Sequence, residues 1–199
     1  MSLKVGGKAP EFSAPAYFNG RLTDVRLSDA AGKWTVLFFY PGDFTFVCPT
    51  EIVALANQQK QLTELDVQVY LVSVDSHFVH MAWEQNELKK LLPEGVPFPM
   101  VADPSGNIGR AYGVFDEDIN VDIRGRFIID PDGNVVAAEV LTAPVGRNIP
   151  EIIRQIRAFR KVRASGGNAV CPAGWRDEND QMLKPGADLV GKVADVWKA

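Results

Sequence analysis

Trp34-Thr-Val-Leu-Phe-Phe-Tyr40, closed by Pro41, and Val67-Gln-Val-Tyr-Leu-Val-Ser-Val74 are the two stretches that decide the fold. Each is a short, almost continuously apolar run, the pattern of a strand buried on both faces. Between them Pro49 suits the first turn of a helix, where its missing N–H costs nothing. Ile52, Leu55, Ala56, Gln59 and Leu62 then follow as a mostly apolar stripe at helical spacing. Strand, helix and strand make a βαβ unit, whose right-handed crossover implies parallel strands.

Working outward, residues His77 to Leu92 read as a further helix. Arg126 to Ile129 and Val135 to Leu141 flank Asp130-Pro-Asp-Gly133, a strong turn signal, and so form an antiparallel hairpin. Ile149, Ile152, Ile153, Ile156 and Phe159 make another helical stripe. The expectation is an α/β fold with a central mixed β-sheet flanked by helices. After about Ala164 the pattern fades into Gly- and Pro-bearing sequence. The organisation is therefore one domain over 1–163 and a C-terminal tail over 164–199, loosely anchored to it.

The 199 residues suit one compact domain, and a 46% hydrophobic content is ordinary for a globular chain. A net charge of -4 argues against nucleic acid or an anionic membrane as the main partner. Trp34 to Tyr40 is the longest strongly apolar stretch, far short of a membrane span. Met1-Ser-Leu-Lys-Val-Gly-Gly-Lys8 lacks the apolar region of a signal peptide, so a cytoplasmic, reducing location is expected.

Cys48 and Cys171 are the two cysteines, each followed by proline. Two thiols are too few for a disulfide scaffold or for a zinc site built from four thiolates. They suffice for redox chemistry in which one reacts and the other resolves. Cys48 falls at the start of the helix begun by Pro49, where the helix dipole and free N–H groups favour negative charge. The plainer alternative is an inert buried thiol.

Asp43-Phe-Thr-Phe-Val-Cys-Pro-Thr-Glu51, preceded by Tyr40-Pro41, resembles the peroxidatic-cysteine segment of the typical two-cysteine peroxiredoxins. Val170-Cys-Pro-Ala-Gly-Trp175 resembles their resolving-cysteine segment. Asp75-Ser-His-Phe-Val-His-Met-Ala-Trp83, Ile123-Arg-Gly-Arg-Phe-Ile-Ile-Asp130 and Pro144-Val-Gly-Arg147 also match, in the family's order. The closing Asp188-Leu-Val-Gly-Lys192 is similar to the bacterial alkyl hydroperoxide reductase branch of that family. The resemblance implies a thioredoxin-like fold and a thiol-dependent peroxidase. Cys48 would attack a hydroperoxide and become a sulfenic acid. Cys171 would then close a disulfide with Cys48 between two subunits of an antiparallel homodimer, often five dimers in a ring.

A thiol of ordinary pKa, about 8.5, is roughly 3% ionised at pH 7. Complete ionisation therefore gains at most about 30-fold, roughly 2 kcal/mol. The rest must come from donors that hold the peroxide in line and stabilise the departing oxygen. Thr45, three residues before Cys48, reads by spacing alone as a helix N-cap; the resemblance assigns its hydroxyl to the peroxide. Pro41 terminates a strand, and in the family it shields the pocket. Arg124 and Arg126 alternate about Gly125 and share one face of an extended chain, so spacing does not choose between them. The family motif places its arginine at Arg124, usually with an apolar residue where Arg126 stands and leucine where Gly42 stands. Glu51 and Arg147 would form the supporting ion-pair network.

No cofactor and no metal are expected. His77 and His80, three apart on a helix, read as a helix face beside Trp83 before they read as a metal pair. The expected partners are hydroperoxides and a disulfide reductase, thioredoxin-like or a dedicated flavoprotein. A disulfide reductase activity of the chain itself is disfavoured because Cys-x-x-Cys is absent. The alternative function is a holdase chaperone or peroxide-sensing relay on the same ring. Relatives that switch readily to chaperone assemblies carry a Gly-Gly-Leu-Gly loop and a Tyr-Phe tail. Here the loop reads Leu92-Pro-Glu-Gly-Val-Pro97, and no Phe or Tyr follows Phe159. Little apolar surface is thus expected to hold the tail down.

Overall fold

The computed structural model describes residues 3–197. The chain divides into two compact units, Met1–Ile149 and Pro150–Ala199. In the first, nine strands run in chain order among the described residues: β1 Ser13–Phe18, β2 Arg21–Arg26, β3 Trp34–Phe39, β4 Val67–Ser73, β5 Met100–Ala102, β6 Phe115–Asp116, β7 Val121–Asp122, β8 Arg124–Ile129 and β9 Val135–Leu141. Seven form one sheet in the order β2-β1-β5-β4-β3-β8-β9, while β6 and β7 make a separate small ribbon. The β3–β4 and β4–β5 pairs are parallel, and the other neighbours are antiparallel, so the sheet is mixed.

The apolar run of β3 explains its place. Every residue of the strand is buried, with β4 on one edge and β8 on the other. The crossover to β4 carries two short helices, α1 Cys48–Ala56 and α2 Gln59–Glu64. Helix α3, His77–Trp83, begins at Ser76, whose hydroxyl accepts from the Val79 N–H. It continues through a π turn, Glu84–Leu88, into α4, Lys89–Leu91. Helix α5 spans Asn107–Tyr112. Phe39, Tyr112 and Phe127 meet in one aromatic cluster, with ring centroids 5.0 to 5.7 Å apart. The β8–β9 turn is built as its sequence demands: the Asp130 carboxylate accepts from the N–H of Asp132 and Asn134, and Gly133 takes φ 79.

The second unit holds nearly all of α6, Ile149–Ala164, whose residues Ile152, Ile153 and Ile156 are buried. Beyond it a two-residue bridge joins Val170 to Leu183. A 3-10 turn, Ala187–Leu189, and α7, Val193–Val196, follow. Among the described residues no helix is long and apolar enough to cross a membrane.

Candidate active site

Cys48 opens α1, next to Pro49 and after Val47, with no side chain capping the helix end. The N–H groups of the first turn are therefore left without a side-chain cap beside the sulfur. Cys48 has no exposed surface.

The β3–β8 register decides which arginine meets Cys48. Arg126 stands opposite Phe38, inside the ladder. Arg124 lies two residues further on, where β3 has already ended, and its side chain is free to reach α1. Its Nη1 donates to Cys48 Sγ at 3.4 Å and to Glu51 Oε2 at 2.7 Å, while Nε donates to the Ala143 carbonyl at 2.7 Å. Arg126 is equally buried but pairs with Glu139, Nε to Oε2 at 3.3 Å. Both arginines are buried.

Glu51 joins the two arginines of the site. One turn after Cys48, it accepts from Arg147 through the backbone N–H at 2.7 Å, Nε at 2.8 Å and Nη2 at 2.9 Å, besides Arg124. Arg147 donates through Nη1 to the carbonyls of Phe39 and Gly125, and its guanidinium lies 3.3 Å from the centre of the Phe38 ring. Burial by itself would push the Glu51 carboxyl up. The hydrogen bonds and charge of Arg147, with the Arg124 charge added, instead hold it below its ordinary value. Burial lowers Arg147 against the opposing pull of Glu51. Two cations and one carboxylate leave this buried network one positive charge in excess. A thiolate on Cys48 balances it.

The loop between β3 and α1 carries Pro41 and Thr45. The Thr45 hydroxyl donates to the Gly42 carbonyl at 2.9 Å. Val47, and not Thr45, is the N-cap residue. Phe44 sits at φ 55, in the left-handed region, and the Phe46 side chain is 94% exposed. Asp43 is tied down at its backbone N–H by Asp75 Oδ2, 2.8 Å, and at its carboxylate by Tyr40 and His80. The two histidines part company: His77 stacks on Phe78, while His80 turns into the core towards Asp43. Sequence reasoning missed Asp43, Tyr40 and His80 as a group. The available signal was an acid between two apolar stretches, which if buried must find a partner.

Cys171 follows the Val170–Leu183 bridge and is half-buried. Burial pushes its thiol up, with Arg154 and Lys161 opposing and Asp180 adding. The tail around it is better anchored within its own unit than the sequence led us to expect. Trp175 is buried, its carbonyl accepts from Arg154 Nη1 at 2.8 Å, and Lys161 Nζ lies 5.9 Å from its ring centre. Lys161 also donates to the Glu178 carbonyl. Polar contacts from α6 thus add to the burial of Trp175.

The model of the AhpC/TSA family matches residues 5–138. The chain is similar, at 50% identity over 195 residues, to the selenocysteine-containing peroxiredoxin PrxU of Peptoclostridium acidaminophilum, the match covering 98% of this chain and 96% of that one. It is 42% identical to alkyl hydroperoxide reductase C of Bacillus subtilis, covering 97% and 100%. Among solved structures it resembles the reduced 2-Cys peroxiredoxin of Plasmodium vivax, with a TM-score of 0.85, 34% identity and coverage of 94% and 98%. The chain thus belongs to the AhpC/TSA family.

Proposed function

We propose that this thiol-dependent peroxidase works through Cys48, with Arg124, Thr45 and Pro41 around the peroxide and Glu51 and Arg147 behind them. The Cys48 thiolate attacks one oxygen of a hydroperoxide. An S–O bond forms, the O–O bond breaks, and the second oxygen leaves with a proton as water or alcohol. The observation that carries this reading is Arg124 Nη1 at 3.4 Å from Sγ, in a network one positive charge in excess. Such a donor complements the thiolate and the charge that develops on the leaving oxygen. The Thr45 hydroxyl, its proton engaged by Gly42, offers lone pairs to the peroxide O–H.

The sulfenic acid then condenses with the partner subunit's Cys171, forming the S–S bond and releasing water. A thioredoxin-like or flavoprotein disulfide reductase returns both thiols. The tail, residues 164–199, is the element that moves. The assembly is a homodimer and, in the ring form, five dimers. Exposed Phe44, Phe46 and Phe78 near the Cys48 loop support such association. Holdase activity is not favoured, and the cytoplasm is the expected location.

The test is direct. Cys48→Ser abolishes peroxide consumption with any reductant, and oxidised wild type runs as a dimer on a non-reducing gel. Either Cys48→Ser or Cys171→Ser removes the fully bonded band. Oxidised wild type that stays monomeric in denaturant would place the disulfide within one chain and refute the intersubunit bond.

A further inference from the structure

Behind the Cys48 loop lies a buried polar cluster that the peroxidase chemistry does not itself use. Tyr40 Oη donates to Asp43 Oδ1 at 2.7 Å, His80 Nδ1 lies 2.8 Å from Asp43 Oδ2, and His80 Nε2 lies 3.3 Å from the Val101 carbonyl. The side chains of Asp43 and His80 have no solvent exposure. A carbonyl only accepts, so Nε2 carries a hydrogen. The hydroxyl of Tyr40 satisfies Oδ1. Oδ2 and Nδ1 then face each other, and two lone pairs at that distance would repel. One hydrogen must lie between them, whether as carboxylic acid on imidazole or carboxylate on imidazolium.

We propose that Tyr40, Asp43 and His80 form a one-proton clamp that fixes loop 41–47, making Asp43 and His80 positioning residues for the oxidation of Cys48. This rests on the roles given above to Thr45 and Pro41. The loop has few other fixed points: Phe44 is in the left-handed region and Phe46 is almost wholly exposed. Asp43 is the hinge of what order it has. Gly42, one residue before it, receives the Thr45 hydroxyl. A displaced Asp43 therefore carries Pro41, Gly42 and Thr45 with it. The other polar groups facing the clamp are Asp75 and Ser73, from the end of β4. Asp75 accepts from both the Asp43 N–H and the Ser73 hydroxyl at 2.8 Å. Burial raises the Asp43 carboxyl, with His80 and Tyr40 opposing and the Asp75 charge adding, consistent with a proton kept at this position.

The experiment measures two rates on the reduced full-length protein: oxidation of Cys48 by hydrogen peroxide, and its alkylation by neutral iodoacetamide. His80→Ala and Asp43→Ala should each slow oxidation by about 100-fold, the scale of a small misplacement of reacting groups. Alkylation, which needs no aligned peroxide, should change little. Asp43→Asn should recover most of the loss: its amide supplies the single hydrogen to Nδ1 while its oxygen still accepts from Tyr40. His77→Ala is the control. Unchanged oxidation in His80→Ala would overturn the clamp. So would Asp43→Asn performing no better than Asp43→Ala, or the two rates falling together. Normal oxidation in Thr45→Val beside slow oxidation in His80→Ala would uphold the clamp and overturn only the role of Thr45.

Discussion

Replacing Arg124 with alanine removes one donor from the Cys48 sulfur and one from Glu51. It does not strand the carboxylate, because Arg147 still donates to Glu51 through its backbone N–H, Nε and Nη2. The fold should survive, and the loss should fall on the chemistry. A preorganised donor aimed at developing charge is worth about 2.7–4 kcal/mol, or roughly 10²–10³ in rate. The network also loses its surplus positive charge, so a thiolate there would go unbalanced. We expect kcat/KM for hydrogen peroxide to fall by roughly 10²–10³. Arg124→Lys should restore only part of it. An ammonium lacks the planar fork that reaches Sγ, Glu51 and the Ala143 carbonyl together. The assay is stopped-flow oxidation of Cys48 at several peroxide concentrations, with thermal melting to establish that each variant is folded. A folded Arg124→Ala protein within about tenfold of wild type would refute the reasoning, since no other donor would then be needed at that scale.

Arg126→Ala should leave the oxidation rate unchanged while costing about 1–3 kcal/mol of stability, because a buried strand position loses its pairing with half-exposed Glu139. Denaturant melts read the second effect, and a loss of rate in folded protein would contradict the assignment. Asp122 is buried with neither carboxylate oxygen hydrogen-bonded. Burial pushes it from 3.8 up to about 7, with the Asp103 charge adding and Arg110 opposing. The folded chain holds this proton more tightly than the unfolded one, so its contribution to stability is full below pH 3.8, declines towards about 7 and stays low above. Asp122→Asn should therefore gain in Tm relative to wild type between pH 5 and pH 8; a difference that does not grow with pH would contradict this. Trp175→Ala should remove the buried indole and its contact with Lys161, loosen the tail, speed disulfide formation and reduce Cys48 sulfinic acid during turnover at high peroxide, measured by intact mass. More sulfinic acid in that variant would mean that the anchor presents Cys171 and does not restrain it.

The centre of the sheet was legible because β3 and most of β4 are buried and write that burial as almost continuous apolar runs. The β8–β9 hairpin was legible through Asp130-Pro-Asp-Gly133. The edge was not: Arg21-Leu-Thr-Asp-Val-Arg26 is a largely exposed strand with little apolar signature, and β5 is three residues long. Cys48 was legible because helix start and motif coincide. The family motif pointed to Arg124, but the physical reason it and not Arg126 reaches Cys48 is a register, Phe38 opposite Arg126, which no single strand contains. His80 stayed hidden because its partner Asp43 is remote in sequence and reaches it only when α3 packs beside the end of β3.

The four hydrogen bonds that Glu51 accepts have a consequence for the return half of the cycle. If Cys48 is to leave for a disulfide, α1 must unwind from its first residue. Residue 51 is where that unravelling stops, because going further would expose a carboxylate and two guanidiniums that are already paired and dry. In the proposed cycle the oxidised enzyme would give up three residues of helix and keep its charged floor assembled. Reduction of the disulfide would then return Cys48 to a waiting surface, the enzyme rearmed by winding a single turn.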